Sequence, residues 1–158
     1  NMNISKFIFV AIILIITSSV FGQTVRWYSD DQVNQGQQLF KHKCAKCHGV
    51  NAEGEPDWRE TDDKGEYPPP PLNGQAYARQ HTLDQLRQQI QVGSNIVDGE
   101  MPSFKNKLSA TDIDAVIAFF QSKWTEAIYK SWQTRQLLSA TKHLKVSEEP
   151  NSIWVRTG

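Results

Sequence analysis

Apolar side chains recur at three- and four-residue intervals over several stretches of the chain, which is the spacing of an amphipathic helix. A run of this kind opens at Thr82, with Gln85 placed for a capping box, and ends before Gly93. A stronger run follows the cap sequence Ser109-Ala-Thr-Asp112. Its apolar positions are Ile113, Val116, Ile117, Phe120 and Trp124. The pattern predicts helices, and no stretch alternates as a strand would.

An earlier helix is predicted from about Asp31 to Cys44, with Ser29 or Asp30 as its cap. Gly36 lies inside this helix, where a glycine costs up to about 1 kcal/mol relative to alanine. We therefore expect Gly36 to serve a close approach by another helix.

From Gly49 to about Gln80 the helical period is lost. Pro68 to Pro71 must be extended, because proline fixes φ and donates no hydrogen bond. A structureless loop of this length is uncommon in a compact domain and is easier to accept around a large bound group. The loop also carries an acidic run, which consists of Glu53, Glu55, Asp57, Glu60, Asp62, Asp63 and Glu66.

The first 22 residues have the pattern of a secretory signal, with Lys6 as the positive charge and Gly22 as the last residue before cleavage. The ten apolar residues from Phe7 to Ile16 fall short of the ~20 that span a bilayer. The alternative is an uncleaved anchor from Phe7 to Phe21. We predict an exported, periplasmic bacterial protein, which is associated with a membrane only if this segment is retained.

Length and charge limit the remaining classes. The 158 residues fit one domain, and 17 basic residues balance 17 acidic ones. Nucleic acid is therefore not expected as a partner, because neutralising phosphates needs a basic excess. Two cysteines are too few for a scaffold built on disulfides.

Those two cysteines form Cys44-Ala-Lys-Cys47-His48, the C-x-x-C-H signature of covalent haem attachment. Two thiols three residues apart at a helix end can reach the two vinyl groups on one edge of a porphyrin. His48 is then aimed at the iron. The motif predicts one haem c, held covalently by Cys44 and Cys47.

Three other interpretations of the motif are open. A thioredoxin-like dithiol belongs in a βαβ setting, for which no strand pattern is present. A zinc site needs four ligands, and only Cys44, Cys47 and His48 are supplied locally. A structural disulfide is compatible with an oxidising compartment.

Met101 is the candidate for the second axial ligand, since the only other methionine, Met2, lies in the signal segment. It lies in the turn-rich sequence Asp98-Gly-Glu-Met-Pro102, which can direct the thioether inward. A buried core methionine is the commoner role of this residue type. His81 and His143 are the competing ligands, and His42 is too close to Cys44 to reach the opposite face of a haem.

From about Asp31 to Trp124 the chain resembles a class I cytochrome c domain. The resemblance implies an all-α cytochrome c fold, with three to five helices around one covalently bound haem, and a first and last helix that cross at small and aromatic residues. It also implies that Pro70 or Pro71 accepts the Nδ1–H of the proximal histidine. The residues that carry it are Gly36, Phe40, Cys44-Ala-Lys-Cys47-His48-Gly49, Pro70-Pro-Leu-Asn-Gly74, Gly99-Glu-Met101-Pro102 and the helix from Leu108 to Phe120.

The domain organisation that follows is a signal peptide or anchor at 1–22, a cytochrome c domain at 23–124, and a helical extension and tail at 125–158. Apolar spacing in the extension continues through Ile128, Trp132 and Leu138, and the chain from His143 onward is weakly patterned.

Histidine and methionine ligation suits electron transfer, and it leaves no open iron position for a substrate. We therefore predict an electron carrier between exported or membrane-bound redox partner proteins, not an enzyme. Lys41, Lys43 and Lys46 are candidates for steering an acidic partner, or are simply solvated. The alternatives are a haem c subunit of a multi-component periplasmic oxidoreductase, which docks through Trp124 to Leu138, and a haem sensor or peroxidase in which Met101 dissociates.

Overall fold

A computed structural model of the chain describes residues 24–94 and 101–148, with only the backbone described at 142–148. The predicted signal segment, Gly99 and the side chain of His143 lie outside these residues. Within them, no helix is long and apolar enough to cross a membrane.

The described residues form five α-helices and one 3-10 turn, with no strand among them. The all-α fold is thus confirmed. The elements are α1 (Asp30–Lys43), α2 (Ala45–His48), the 3-10 turn (Tyr77–Gln80), α3 (Leu83–Val92), α4 (Ala110–Ser122) and α5 (Glu126–Glu148).

Three helices begin where the cap residues predict. Each has a capping box, in which the cap side chain accepts a backbone N–H while the side chain three residues later accepts the N–H of the cap. The pairs are Ser29 with Gln32 in α1, Thr82 with Gln85 in α3, and Ser109 with Asp112 in α4.

Helices α1 and α4 make the most extensive helix–helix contact of the described chain. Gly36 is buried at their crossing, and a Cβ placed there would overlap the carbonyl oxygen of Ala115. One turn further along α1, Phe40 packs on Phe119 with ring centroids 5.0 Å apart. The close approach expected of Gly36 is therefore present, and α4 is its partner.

Helix α3 lies against α4 through Leu86 and Ile90, which are both buried. Arg87 adds a bidentate ion pair, with Nε 2.7 Å from Oδ1 and Nη2 3.0 Å from Oδ2 of Asp114. Paired planar groups of this kind fix orientation as well as contributing energy. Asp114 raises the pKa of Arg87 by hydrogen bonding and charge, so the guanidinium stays charged.

The long loop between α2 and α3 is folded back on its own proline segment. The carbonyl oxygen of Ala52 accepts hydrogen bonds from the N–H groups of Leu72 (2.8 Å) and Asn73 (3.1 Å). Glu55 N–H donates to the carbonyl of Pro69 at 3.0 Å. Gly54 has φ +68°, and a Cβ there would lie 2.7 Å from the carbonyl carbon of Pro70. Only a residue without a side chain permits this approach.

Helix α5 differs from the expected pattern at both ends. The apolar spacing of α4 extends to Trp124, but the helix itself ends at Ser122. Helix α5 then begins at Glu126, and Thr125 Oγ1 caps it by accepting the N–H of Ile128 at 3.3 Å. At its other end α5 continues to Glu148, beyond the point where the apolar pattern fades.

The first turns of α5 belong to the same hydrophobic core as α1, α3 and α4, because Tyr129 and Trp132 are almost fully buried in it. The N-terminal segment closes over them: Arg26 lies 3.8 Å above the Tyr129 ring and pairs with Glu126 at 2.8 Å. The boundary after Trp124 stays a prediction, but the core itself continues past it.

Replacing Gly36 by alanine is expected to destabilise the fold by about 2 kcal/mol or more, because α1 and α4 must separate to admit a methyl group. Chemical denaturation of the haem-loaded protein measures the change. Gln38→Ala, at an exposed position of the same helix, is the control and should be neutral or slightly stabilising. A Gly36→Ala protein as stable as wild type would contradict the close crossing.

Gly54→Ala is expected to lose about 3 kcal/mol of unfolding free energy, because it combines a positive φ with a clash against the proline segment. Gly65→Ala is the matched control: Gly65 also has a positive φ (+81°), but nothing lies within 4 Å of a Cβ there. It should lose only about 1 kcal/mol. Equal losses in the same denaturation assay would show that the approach to Pro70 has no energetic weight.

Candidate functional site

The cysteine motif lies at a break between two helices. Cys44 has φ −121° and ends α1, and α2 follows at once. The carbonyl oxygen of Cys44 accepts hydrogen bonds from the N–H groups of both Cys47 (3.1 Å) and His48 (2.9 Å). One short turn therefore holds the two thiols and the imidazole together. Both thiols are free, with Cys44 half-buried and Cys47 exposed.

Burial raises the pKa of the Cys44 thiol to about 11, with a smaller contribution from Cys47. Cys44 is therefore a neutral thiol at physiological pH. A dithiol redox centre works through a thiolate with a lowered pKa. The surroundings of Cys44 act in the opposite direction, which disfavours the thioredoxin-like interpretation.

His48 is oriented by a hydrogen bond to the proline segment. Its Nδ1 lies 3.0 Å from the carbonyl oxygen of Pro70. A carbonyl can only accept, so Nδ1 carries the proton and Nε2 keeps its lone pair. Burial lowers the pKa of His48, and the Pro70 carbonyl partly opposes this shift. A neutral imidazole with a free Nε2 is the form that binds a metal ion.

The backbone around the motif holds Pro70 in place. His48 accepts the Gly54 N–H on its own carbonyl oxygen at 2.8 Å, and Gly54 in turn lies against Pro70 and Pro71. Pro71 is fully buried, and the hydrogen bond from His48 goes to Pro70. Sequence reasoning missed Gly54. The signal available was a glycine six residues after the histidine, within an otherwise acidic stretch.

Met101 lies at the end of α3, where its backbone is anchored. Its carbonyl oxygen accepts the N–H of Ser94 at 2.9 Å, and a Cβ on Gly93 would lie 2.8 Å from the carbonyl carbon of Pro102. The Met101 side chain is half-buried and packs against the hydrophobic core that Cys44 also borders. Met101 and the motif thus share one core, and ligation by its sulfur stays a prediction.

The histidines named as competitors are placed differently. His81 and His42 are exposed. The backbone carbonyl of His81 is occupied by the indole N–H of Trp132 at 2.8 Å.

The donor set of this site fits a haem attached through its vinyl groups. It offers two free thiols within one turn, a neutral histidine with a free Nε2, and a backbone that fixes the ring. Several residues within or close to the motif in sequence are exposed: Val50 is 64% exposed, and Lys41, Lys43 and Lys46 are exposed as well.

Comparison with solved structures finds a similar chain in the reducing HAO-like protein complex of Kuenenia stuttgartiensis. It shares 23% sequence identity, with a TM-score of 0.48, over 66% of this chain and 48% of the other. The chain therefore spans about half the length of that neighbour. No curated protein gives a significant match.

Residues 31–120 match the family described as cytochrome c oxidase, cbb3-type, subunit III. The match covers more than half of the chain, includes Cys44, Cys47 and His48, and ends close to the limit of the predicted domain at Trp124. Electron transport through covalently bound haem c is the role of such a domain. The chain therefore belongs to the cbb3-type cytochrome c oxidase subunit III family and is a c-type cytochrome.

Proposed function

We propose that this chain is a monohaem class I c-type cytochrome, exported to the periplasm, that carries electrons between redox partner proteins. His48 and Met101 are its two axial ligands. The observation that carries the proposal is the 3.0 Å contact between His48 Nδ1 and the Pro70 carbonyl, directly after the two cysteines.

When bound, haem c supplies a one-electron ferric/ferrous couple. Cys44 and Cys47 would hold it through thioether bonds, and the single turn that carries both thiols would limit how it can be held. His48 contributes Nε2, and its Nδ1–H donates to Pro70. This hydrogen bond fixes the imidazole ring and raises the basicity of the ligating nitrogen.

Met101 supports the carrier function by occupying the remaining axial position. A thioether is soft and neutral, so it favours the reduced state more than a second imidazole does. The contacts of its backbone with Ser94 and Gly93 hold the residue at the end of α3. With His48 and Met101 both bound to the iron, no coordination position would be open to a substrate, which supports a carrier and disfavours a catalyst or gas sensor.

The exposed side of the motif is where we place partner docking. Cys47 is itself exposed, and Val50 offers an apolar contact beside it. Lys41, Lys43 and Lys46 are exposed within or just before the motif, and their positive charge steers an acidic partner during encounter.

A second candidate, a subunit of a larger oxidoreductase, is favoured by a specific observation. Leu137 and Leu138 are 66% and 65% exposed on the distal half of α5. The family is also named for a subunit of an oxidase. The docking surface in this case begins after Trp132, because Trp124 and Trp132 are buried in the core of the chain itself.

Met101→Ala tests whether Met101 occupies the second axial position of the haem iron. Wild type should be low-spin in both oxidation states and bind carbon monoxide slowly. The variant should become high-spin when reduced and bind carbon monoxide rapidly, because a coordination position opens. Absorption spectra and carbon monoxide binding kinetics measure this. His81→Ala is the control and should behave as wild type; rapid binding by wild type or by His81→Ala would disprove ligation by Met101.

The native mass distinguishes the carrier hypothesis from the subunit hypothesis. It is measured on the protein isolated from membrane and periplasmic fractions of the native host. A carrier is expected at the mass of one haem-loaded chain. A subunit is expected in a larger complex that Leu137→Ser/Leu138→Ser dissociates, because the apolar contact is lost. Ala140→Ser, at an exposed position of the same distal half of α5, is the control and should leave the complex intact.

A further inference from the structure

Side chains at and just before α5 donate hydrogen bonds to backbone carbonyls of the segment between the proline run and α3. Trp124 Nε1 donates to Leu72 at 2.7 Å, Trp132 Nε1 donates to His81 at 2.8 Å, and Arg135 donates to Arg79 at 2.6 Å. These three residues hold the segment from 72 to 81 against α5 and the turn that precedes it. Each of the three hydrogen bonds restrains a different part of this segment, depending on which carbonyl accepts it.

The carbonyl held by Trp124 is two residues from the acceptor of His48. Leu72 also donates its N–H to Ala52 at 2.8 Å. The short stretch from Pro70 to Leu72 is thus held at both ends: His48 lies against the Pro70 carbonyl, and Trp124 lies against the Leu72 carbonyl. Only Pro71, whose ring is rigid, lies between Leu72 and Pro70, so a displacement at Leu72 is transmitted to Pro70.

Trp124 is itself rigidly placed. Its side chain is 3% exposed, with the ring centroids of Phe120 and Trp132 at 6.3 Å and 5.9 Å. On the loop side, a Cβ on Gly74 would lie 3.1 Å from Cδ1 of Trp124, so the ring and the backbone are in close contact. A packed ring with a buried N–H has one low-energy position, because any other position would leave that donor unpaired.

We propose that Trp124 is a positioning residue for the proximal histidine. By holding the Leu72 carbonyl, it keeps the Pro70 carbonyl on His48 Nδ1 and thereby sets the reduction potential of the haem. This inference rests on the proposed function, since it requires His48 to be an axial ligand.

The direction of the effect follows from the chemistry of the ligand. A firm hydrogen bond from Nδ1–H gives the imidazole more anionic character, which favours the ferric state. Loosening the Pro70 carbonyl weakens that hydrogen bond. The reduction potential therefore rises when Trp124 loses its N–H.

Trp132 is a matched control within the same core. It is 2% exposed, and its indole N–H makes the same kind of hydrogen bond, but to His81, next to the start of α3. Replacing either tryptophan by phenylalanine removes one indole N–H and a similar volume. Only the Trp124 change releases the stretch that contains Pro70.

The experiment compares haem-loaded Trp124→Phe and Trp132→Phe with wild type. Spectroelectrochemical titration measures the reduction potential. NMR on the reduced protein measures hydrogen exchange of the His48 Nδ1 proton. We expect Trp124→Phe to raise the potential and to speed this exchange by up to about fivefold, the effect of one lost hydrogen bond of about 1 kcal/mol. Trp132→Phe should leave both unchanged.

Equal effects of the two substitutions, or no effect of Trp124→Phe, overturn the inference while leaving His48 ligation intact. If Trp124→Phe does not fold, the sulfur analogue benzothienylalanine at position 124 keeps the bicyclic ring and removes only the N–H. Wild type is measured first. A wild-type spectrum without histidine ligation overturns the proposed function and this inference together.

Discussion

Backbone hydrogen bonds between the loop after the cysteine motif and the proline segment are the constraint on which the site depends. Residues 52–55 form backbone hydrogen bonds with residues 69–73, and Gly54 allows these two backbone segments to touch. Because of this pairing, the Pro70 carbonyl reaches the imidazole of His48. The same pairing gives an otherwise irregular, acidic loop a defined path without regular secondary structure.

The helices determine where these paired backbone segments lie relative to the rest of the core. Helix α1 crosses α4 at Gly36, where the two backbones are so close that a Cβ would not fit, and α1 then ends at the cysteine motif. The orientation of the motif is therefore determined by the crossing, since only one residue separates α1 from α2. Arg87 and Asp114 fix α3 against α4, and the Met101 carbonyl accepts the N–H of Ser94 just after α3.

Helix α5 has two different halves. Its first turns carry Tyr129 and Trp132 into the core and hold the segment after the proline run. Its distal half exposes Leu137 and Leu138. The buried half packs through Trp132 on Trp124, whose indole N–H holds the backbone two residues from the carbonyl that contacts His48.

The sequence by itself determined the helices with strong local signals and the chemistry of the site. Capping residues mark the starts of α1, α3 and α4, and the C-x-x-C-H spacing identifies haem attachment, because both depend on neighbours within one turn. Gly36 was interpretable because a glycine inside a helix needs a reason. Which of Pro70 and Pro71 contacts His48, the role of Gly54, and the hydrogen bond from Trp124 to Leu72 were decided only in the tertiary structure. These contacts join residues up to 52 positions apart, and no local pattern records where such distant backbone groups meet.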